Sequence, residues 1–310
     1  MNVEYESNLG PEGFKKMLGV ETLPQACLKV IDERNFRYHA FTQEEREAKM
    51  LEMIHHLEED LPVSGPSRKP NWEKGWQENC DKFVESGYEE DALLPGYFGR
   101  PANVLRLFGN YILPEDNYFE VSCLKVFQAW LSETYFKDKT HVYEFGCGPA
   151  HNLYALSKAD PSKTYWGLDW TKASQNTIAK IVEATGWDIR AKNFDMFNPP
   201  QDFAVEPGSA IFSIGMMEQA GKNFGAFADY MMAQDASVFI HLEPIIELHD
   251  ENILFDYLAI RYLRKRNYLD GYLNHLRNLE KDGKINIEES RVLMGCAFHN
   301  SWNLIVWRKI

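Results

Sequence analysis

From Val142 onward, short β-rich runs alternate with helical ones, and this alternation confines the chain to a parallel sheet wrapped by helices. The predicted strands are Val142–Phe145, Thr164–Leu168, Asp188–Ala191, Ser209–Ile214 and Ser237–Leu242. Helices are predicted near Asn152–Lys158, Thr171–Thr185 (ended by Gly186) and Phe224–Ala233, and two more between Asp250 and Asp282. The tail breaks the rhythm. Arg291–Cys296 and Asn303–Trp307 read as strands joined by the polar connection Phe298-His299-Asn300-Ser301, which predicts an antiparallel hairpin. The expected fold is therefore α/β: a doubly wound, mostly parallel seven-stranded sheet with a C-terminal antiparallel hairpin.

The residues before this pattern have a different texture. Up to about Lys139 they read as helices and loops. Thr42 with Glu45 forms a capping box ahead of a helical run Gln43–Leu61, and a breaker-rich linker covers 62–70. Trp72 and Trp76 follow, then a Pro/Gly-rich loop over 94–101 and an apolar helical pattern over Phe119–Phe136. Two regions are expected: a helical N-terminal cap over 1–139 and a sheet domain over 140–310.

Charge narrows the partners. Asp and Glu number 46 against 33 Lys and Arg, a formal net charge of −13, and such a surface repels a phosphate backbone. Nucleic acid is disfavoured. The five cysteines are widely spaced with no CxxC pair, which suggests neither a disulfide framework nor a structural zinc site and fits reduced thiols in a cytosol. The opening Met1-Asn2-Val3-Glu4-Tyr5-Glu6 lacks the basic and apolar regions of a secretion signal, and no run approaches the roughly 18 apolar residues of a membrane helix. A cytoplasmic protein without membrane contact is the expectation. The apolar stripe Phe255, Leu258, Ala259, Tyr262 and Leu263 either packs on the sheet or supplies a homodimer face.

In open α/β sheets, ligands sit at the carboxyl ends of the strands. The first strand ends in Glu144-Phe145-Gly146-Cys147-Gly148-Pro149-Ala150, where two glycines allow a sharp turn and close backbone approach. Alone, such a pair marks many ordinary strand-to-helix turns. The second strand ends in Asp169, 21 positions after Gly148; the acid either binds a ligand's hydroxyls or caps the helix that follows. Trp170 lies against a flat ligand or covers the sheet edge. After the third strand comes Asn193-Phe194-Asp195-Met196-Phe197, a loop acid in third position.

Together these residues resemble the class I S-adenosyl-L-methionine (SAM)-dependent methyltransferases. The resemblance rests on the turn Glu144, Gly146, Gly148, the acids Asp169 and Asp195, the fourth-strand segment Ile211–Gln219 and the closing hairpin. It covers about residues 140–310. It implies SAM as cofactor, with Glu144 at the methionine part, Asp169 at the ribose, Asp195 and Met196 at the adenine, and the earlier residues as a variable cap over the acceptor. Ala150 departs from the third glycine that the family often has. The rival cofactor, NAD, needs G-x-G-x-x-G, and position 151 is His.

The candidate base region follows the fifth strand. His241 and Glu243 alternate, so both point to one face; either they act on the acceptor proton or they are satisfied groups within the sheet. Glu218, past the fourth strand, is a further catalytic candidate or simply the start of a helix. His249 lies eight residues beyond His241 with Pro244 between, which is no compact ligand motif, so no metal is expected. Trp72, Trp76, Tyr97 and Phe98 form a lid or fill a core, and Arg100 and Arg106 meet an acidic group or make surface ion pairs. Methylation of a small polar metabolite, with a sugar-like or other hydroxyl acceptor first, is the leading expectation. An S- or N-methyltransferase working by alignment on an amino-acid-like acceptor, and a SAM-binding regulator or scaffold without chemistry, are the alternatives.

Overall fold

The computed structural model describes residues 4–101 and 103–310; Met1-Asn2-Val3, read above for a leader, lie outside the described residues. Eleven strands are found among those residues: β1 (Ser7–Asn8), β2 (Arg37–Ala40), β3 (Leu105–Leu107), β4 (Asn110–Pro114), β5 (His141–Phe145), β6 (Thr164–Asp169), β7 (Ile189–Asn193), β8 (Ala210–Ile214), β9 (Val238–Glu243), β10 (Ile285–Cys296) and β11 (Trp302–Lys309). They form one sheet in the order β1-β2-β4-β3-β10-β11-β9-β8-β5-β6-β7. The five strands β5 to β9 pair in parallel, and β11 returns antiparallel between β9 and β10. The order reverses at β5, where β6 and β8 flank it, and a crevice opens beyond the strand ends at such a reversal.

Helices cover both faces, so two apolar cores flank the sheet. Val142, Phe212, Ile240 and Leu304 face a core with Phe127, Leu153 and Ile178 from the helices Phe119–Leu131, His151–Ala159 and Lys172–Thr185. Their neighbours Tyr143, Ile211, Phe239 and Ile305 face the other core, with Phe227, Met231 and Leu276 from Gly225–Ala233 and Tyr272–Lys281. Gly167 lets the first layer close: a Cβ there would lie 2.4 Å from Ile178 Cδ1 and 2.8 Å from Leu153 Cδ1.

Two expectations are corrected. The sheet has eleven strands rather than seven, and six of its ten strand pairings are antiparallel. The N-terminal part is not only helical either, since β1 to β4 continue the same sheet through the β3–β10 pairing. These strands are two to five residues long, too short to display a period-2 pattern, and β3 is buried at every position. The capping box is present: Thr42 Oγ1 accepts from Glu45 N–H and Glu45 Oε2 accepts from Thr42 N–H, ahead of the helix Gln43–Glu58.

Candidate functional site

The tip of β5 carries Glu144, 1% exposed. Asn152 Nδ2 donates to its Oε1 at 2.6 Å, and Gln128 Nε2 orients Asn152 from behind at 2.8 Å. Its Oε2 is buried without a partner among the described residues. Burial drives this carboxyl well above the usual range; the Asn152 bond opposes that, and the charge of Asp169 adds to it. A buried acceptor oxygen left free at a cavity wall is costly unless a donor arrives.

The chain then turns over the sheet edge. Gly146 has φ +73°, and a Cβ there would lie 2.1 Å from Met216 Cγ. Ala150 adopts φ +61°, the left-handed conformation a glycine would take freely and an alanine takes at a cost of about 1–2 kcal/mol. Asp169, at the tip of β6, binds the turn from the other side, with Oδ2 accepting from Gly148 N–H at 3.1 Å. Its Oδ1 accepts from the backbone and hydroxyl of Thr171 at 2.8 and 2.7 Å, so the acid also supports the cap of the next helix. Burial raises its carboxyl, and those donated bonds restrain the rise.

A cavity of about 390 Å³ lies above these strand ends. Its floor includes Glu144, Gly146, Gly148, Asp169, Trp170 and Met196. Its roof comes from the helix Lys69–Glu85 and the loop after it: Trp72 stacks on Trp76 (5.2 Å, 22°), with Tyr97 and Phe98 alongside. A Cβ on Gly148 would meet the Trp76 ring at 3.2 Å, so the roof rests directly on the glycine turn. Glu73 fixes that helix in position, its two oxygens accepting from Lys172 and Ala173 N–H at 2.8 Å, where the helix dipole favours an anion.

Of the seven residues expected at the cofactor, six therefore line one cavity. Asp195 does not: its Oδ1 turns back to accept from Phe197 N–H at 2.9 Å and braces its own loop. Among the catalytic candidates, Glu218 lines the cavity and its carboxyl is raised by burial, while His241 and Glu243 lie off it. His241 is fully buried. Trp307 Nε1 donates to its Nε2 at 3.2 Å and Tyr272 Oη lies 3.0 Å from the same nitrogen, so the remaining proton belongs on Nδ1, 3.0 Å from Ser213 Oγ. Burial pushes its pKa down to about 3. Ser213 in turn donates to Glu243 Oε1 at 2.7 Å, and Glu243 also accepts from Met216 and Met217 N–H, both at 3.1 Å. Burial lifts the Glu243 carboxyl to about 8 against those three bonds. Both residues are satisfied groups in the sheet, and Glu243 holds the loop that carries Met216 and Glu218. His241→Ala, which would strand three polar partners, should cost about 2–3 kcal/mol in urea unfolding while leaving cofactor affinity unchanged. Weakened affinity in a stable variant would return His241 to the site.

Arg106 is also not a surface residue. At 1% exposure it donates to Asn300 Oδ1 (2.8 Å), Phe255 O (3.1 Å) and Asp256 Oδ1 (3.0 Å), joining β3 to the hairpin loop. His249 Nδ1 lies 3.1 Å from Ile245 O, and among the described residues no group of three or more His, Cys, Asp or Glu is arranged to hold a metal. No helix there is long and apolar enough to cross a membrane.

Among the lining residues that the sequence reading gave no site role are three titratable ones. His299 was read only as part of a turn, His151 only as the residue that spoils a dinucleotide fingerprint, and Glu120 as an unremarked polar position on an apolar helix. None has a sequence signal of its own, because the cavity forms only when the hairpin loop and the helix Phe119–Leu131 meet above the strand ends.

No protein-family model matches the sequence, and no curated protein matches it. Solved structures do. An O-methyltransferase from neocarzinostatin biosynthesis, in complex with S-adenosylmethionine and 2-hydroxy-5-methyl naphthoic acid, is 13% identical over 62% of this chain and 58% of its own, with a TM-score of 0.41. An O-methyltransferase from a trans-AT polyketide synthase of Brevibacillus brevis, in complex with S-adenosyl-L-homocysteine, is 13% identical over 61% and 74%, with a TM-score of 0.43. An rRNA methylase from Escherichia coli is 12% identical over 96% and 99%, also at 0.43. The chain spans less than three fifths of the length of the first of these. Likeness at this level assigns no activity by itself.

Proposed function

We propose that the protein is a SAM-dependent methyltransferase of the class I Rossmann-like kind, acting on a small-molecule acceptor. The observation that carries this reading is the free Oε2 of Glu144, buried at a cavity wall beside the glycine turn and Asp169. That oxygen suits the ammonium of the cofactor's methionine part, and Asp169 retains lone pairs for the ribose hydroxyls. Trp170 and Met196 border the space left for the adenine, with Asp195 bracing their loop rather than reaching the ring. The acids beside the glycine turn, Glu144 and Asp169, favour a cationic ligand over a dinucleotide with its two phosphates.

When bound, SAM would supply a methyl group on a sulfonium leaving group. The protein's share is alignment, exclusion of water and, where the acceptor must lose a proton, a base. Trp72, Trp76 and Tyr97 roof the site against solvent. With His241 and Glu243 held inside the sheet, Glu218 is the base we assign, with His299 beside it in the cavity wall. The residues up to 139 supply the roof and so act as the substrate region. A volume of about 390 Å³, near the small end for ligand sites, favours a compact acceptor. A hydroxyl acceptor with Glu218 as base remains within this reading, and alignment-only transfer to sulfur or nitrogen is its rival.

The protein should bind S-adenosyl-L-homocysteine at micromolar concentrations or below in calorimetry, and Asp169→Ala should weaken binding by about 1.5–3 kcal/mol. Binding of NAD in place of S-adenosyl-L-homocysteine would overturn the assignment. Methyl-labelled SAM incubated with a fractionated metabolite extract would then reveal the acceptor, and a protein that binds the cofactor but labels nothing would be a regulator.

A further inference from the structure

The half of the cavity remote from Asp169 has a chemistry of its own. Glu120 enters it from the first turn of the helix Phe119–Leu131, Glu218 from the short turn after β8, and His299 from the hairpin loop. Among the described residues Glu120 has neither a hydrogen bond nor an ion pair, and burial lifts its carboxyl to about 8. Among the described residues the Glu218 carboxyl accepts one hydrogen bond, from Gln219 Nε2 at 3.0 Å. His299 is 4% exposed, its Nδ1 has no partner among the described residues, and burial takes it down to about 4, so the ring is neutral at pH 7. One arginine, Arg100, lines the cavity at its exposed mouth, and no lysine does so among the described residues.

Aromatic rings complete the surroundings. Tyr262 stacks with Phe298 (4.9 Å, 13°) and with His299 (5.5 Å, 20°), and Tyr268 meets His299 edge-on at 5.5 Å. Tyr97 spans the mouth; burial, then the charges of Glu218, Glu120 and Glu144, push its phenol up, so its hydroxyl lies within the field of all three acids. Burial makes the charged form of each acid costly, and Arg266, which lies over Tyr262 and Tyr268, offsets that for Glu218 only in part. A cation entering between the acids removes that cost, and aromatic faces add to its attraction.

We propose that this half of the cavity receives the acceptor as an ammonium, a small amine on a compact flat frame. Its nitrogen faces Glu218 and Glu120, an N–H reaches the free nitrogen of His299, and the frame lies against Tyr262 and Phe298. The proposal rests on the methyltransferase reading for the word acceptor, but the binding it asserts does not need that reading to be right.

The test uses two probes of equal ring and chain length and opposite charge, phenethylamine and phenylacetate. Each is titrated calorimetrically into the full chain, with and without S-adenosyl-L-homocysteine. The amine should bind at least about tenfold tighter, and Glu120→Gln and Glu218→Gln should each weaken it by about tenfold, as loss of a charged hydrogen bond implies. Glu120→Gln should bind S-adenosyl-L-homocysteine within twofold of the unaltered protein, which also reports that the variant is folded. Equal binding of both probes, a preference for phenylacetate, no saturable amine binding below about 10 mM, or unchanged amine affinity in both variants overturns the proposal. Failure to bind S-adenosyl-L-homocysteine, with the amine preference intact, would sink the cofactor assignment alone.

Discussion

Glu218→Gln should lower turnover by about 10²–10⁴-fold, the usual contribution of a positioned base, while cofactor affinity stays near that of the unaltered protein. The pH profile gives this expectation its sign. Burial raises the Glu218 carboxyl, so its acid limb should lie above the ordinary carboxylate value of about 4.3. Turnover should fall as pH drops through that raised value, because a protonated carboxyl accepts no proton from the acceptor. The glutamine variant should lose this limb along with the rate. Burial moves His299 the other way, below its ordinary value, so the loss of the limb in Glu218→Gln is what assigns it. An unchanged profile in Glu218→Gln, with turnover near normal, would leave transfer by alignment alone.

Gly295→Ala should be the most damaging of the glycine-to-alanine changes among the described residues, because its near contacts are all backbone. Gly295 lies on β10 under the hairpin loop, and a Cβ there would sit 2.2 Å from His299 O, 2.3 Å from Ser301 N and 2.4 Å from Asn300 Cα. All three are backbone atoms, so no side-chain rotation relieves the clash, and the loop must lift. Overpacking usually costs about 1–3 kcal/mol, and we expect at least the upper figure here. The lift would also move His299 and loosen the Arg106–Asn300 bond, so amine affinity should fall with stability. Urea unfolding with the same midpoint as the unaltered protein would show that the loop has room to give.

The sheet domain was legible because its signals are local. A strand that runs from Val142 to a pair of glycines, then an acid at the next strand tip, places ligand groups along one edge wherever the helices end up. The missed strands show the converse: β3 and β4 exist because β10 offers an edge to pair with, and nothing in three or five residues announces that partner. His241 and Glu243 lie off the cavity for a related reason. Their alternation correctly put both on one face of β9, but it could not tell that Trp307, Tyr272 and Ser213 would already occupy His241. Ala150 is the opposite lesson: the missing glycine left the turn in place, and the alanine bears the left-handed φ instead.

The pairing of β3 with β10 carries a consequence for how the gene product can be divided. Cut before His141, the chain would lose β1 to β4 and leave the long strand β10 as a bare border, with Leu293 and Met294, now buried, beside unpaired backbone groups. Such a border recruits any strand that will extend it, including its own copy in a neighbouring molecule. The shortened protein is therefore expected to self-associate rather than behave as a free cofactor-binding module, and light scattering on it would record that. The strands β1 to β4 and the parallel strands share one hydrogen-bonded sheet, so exchanging the N-terminal part of this protein means grafting at an internal strand border, with the register Met294–Leu107 as the seam to preserve.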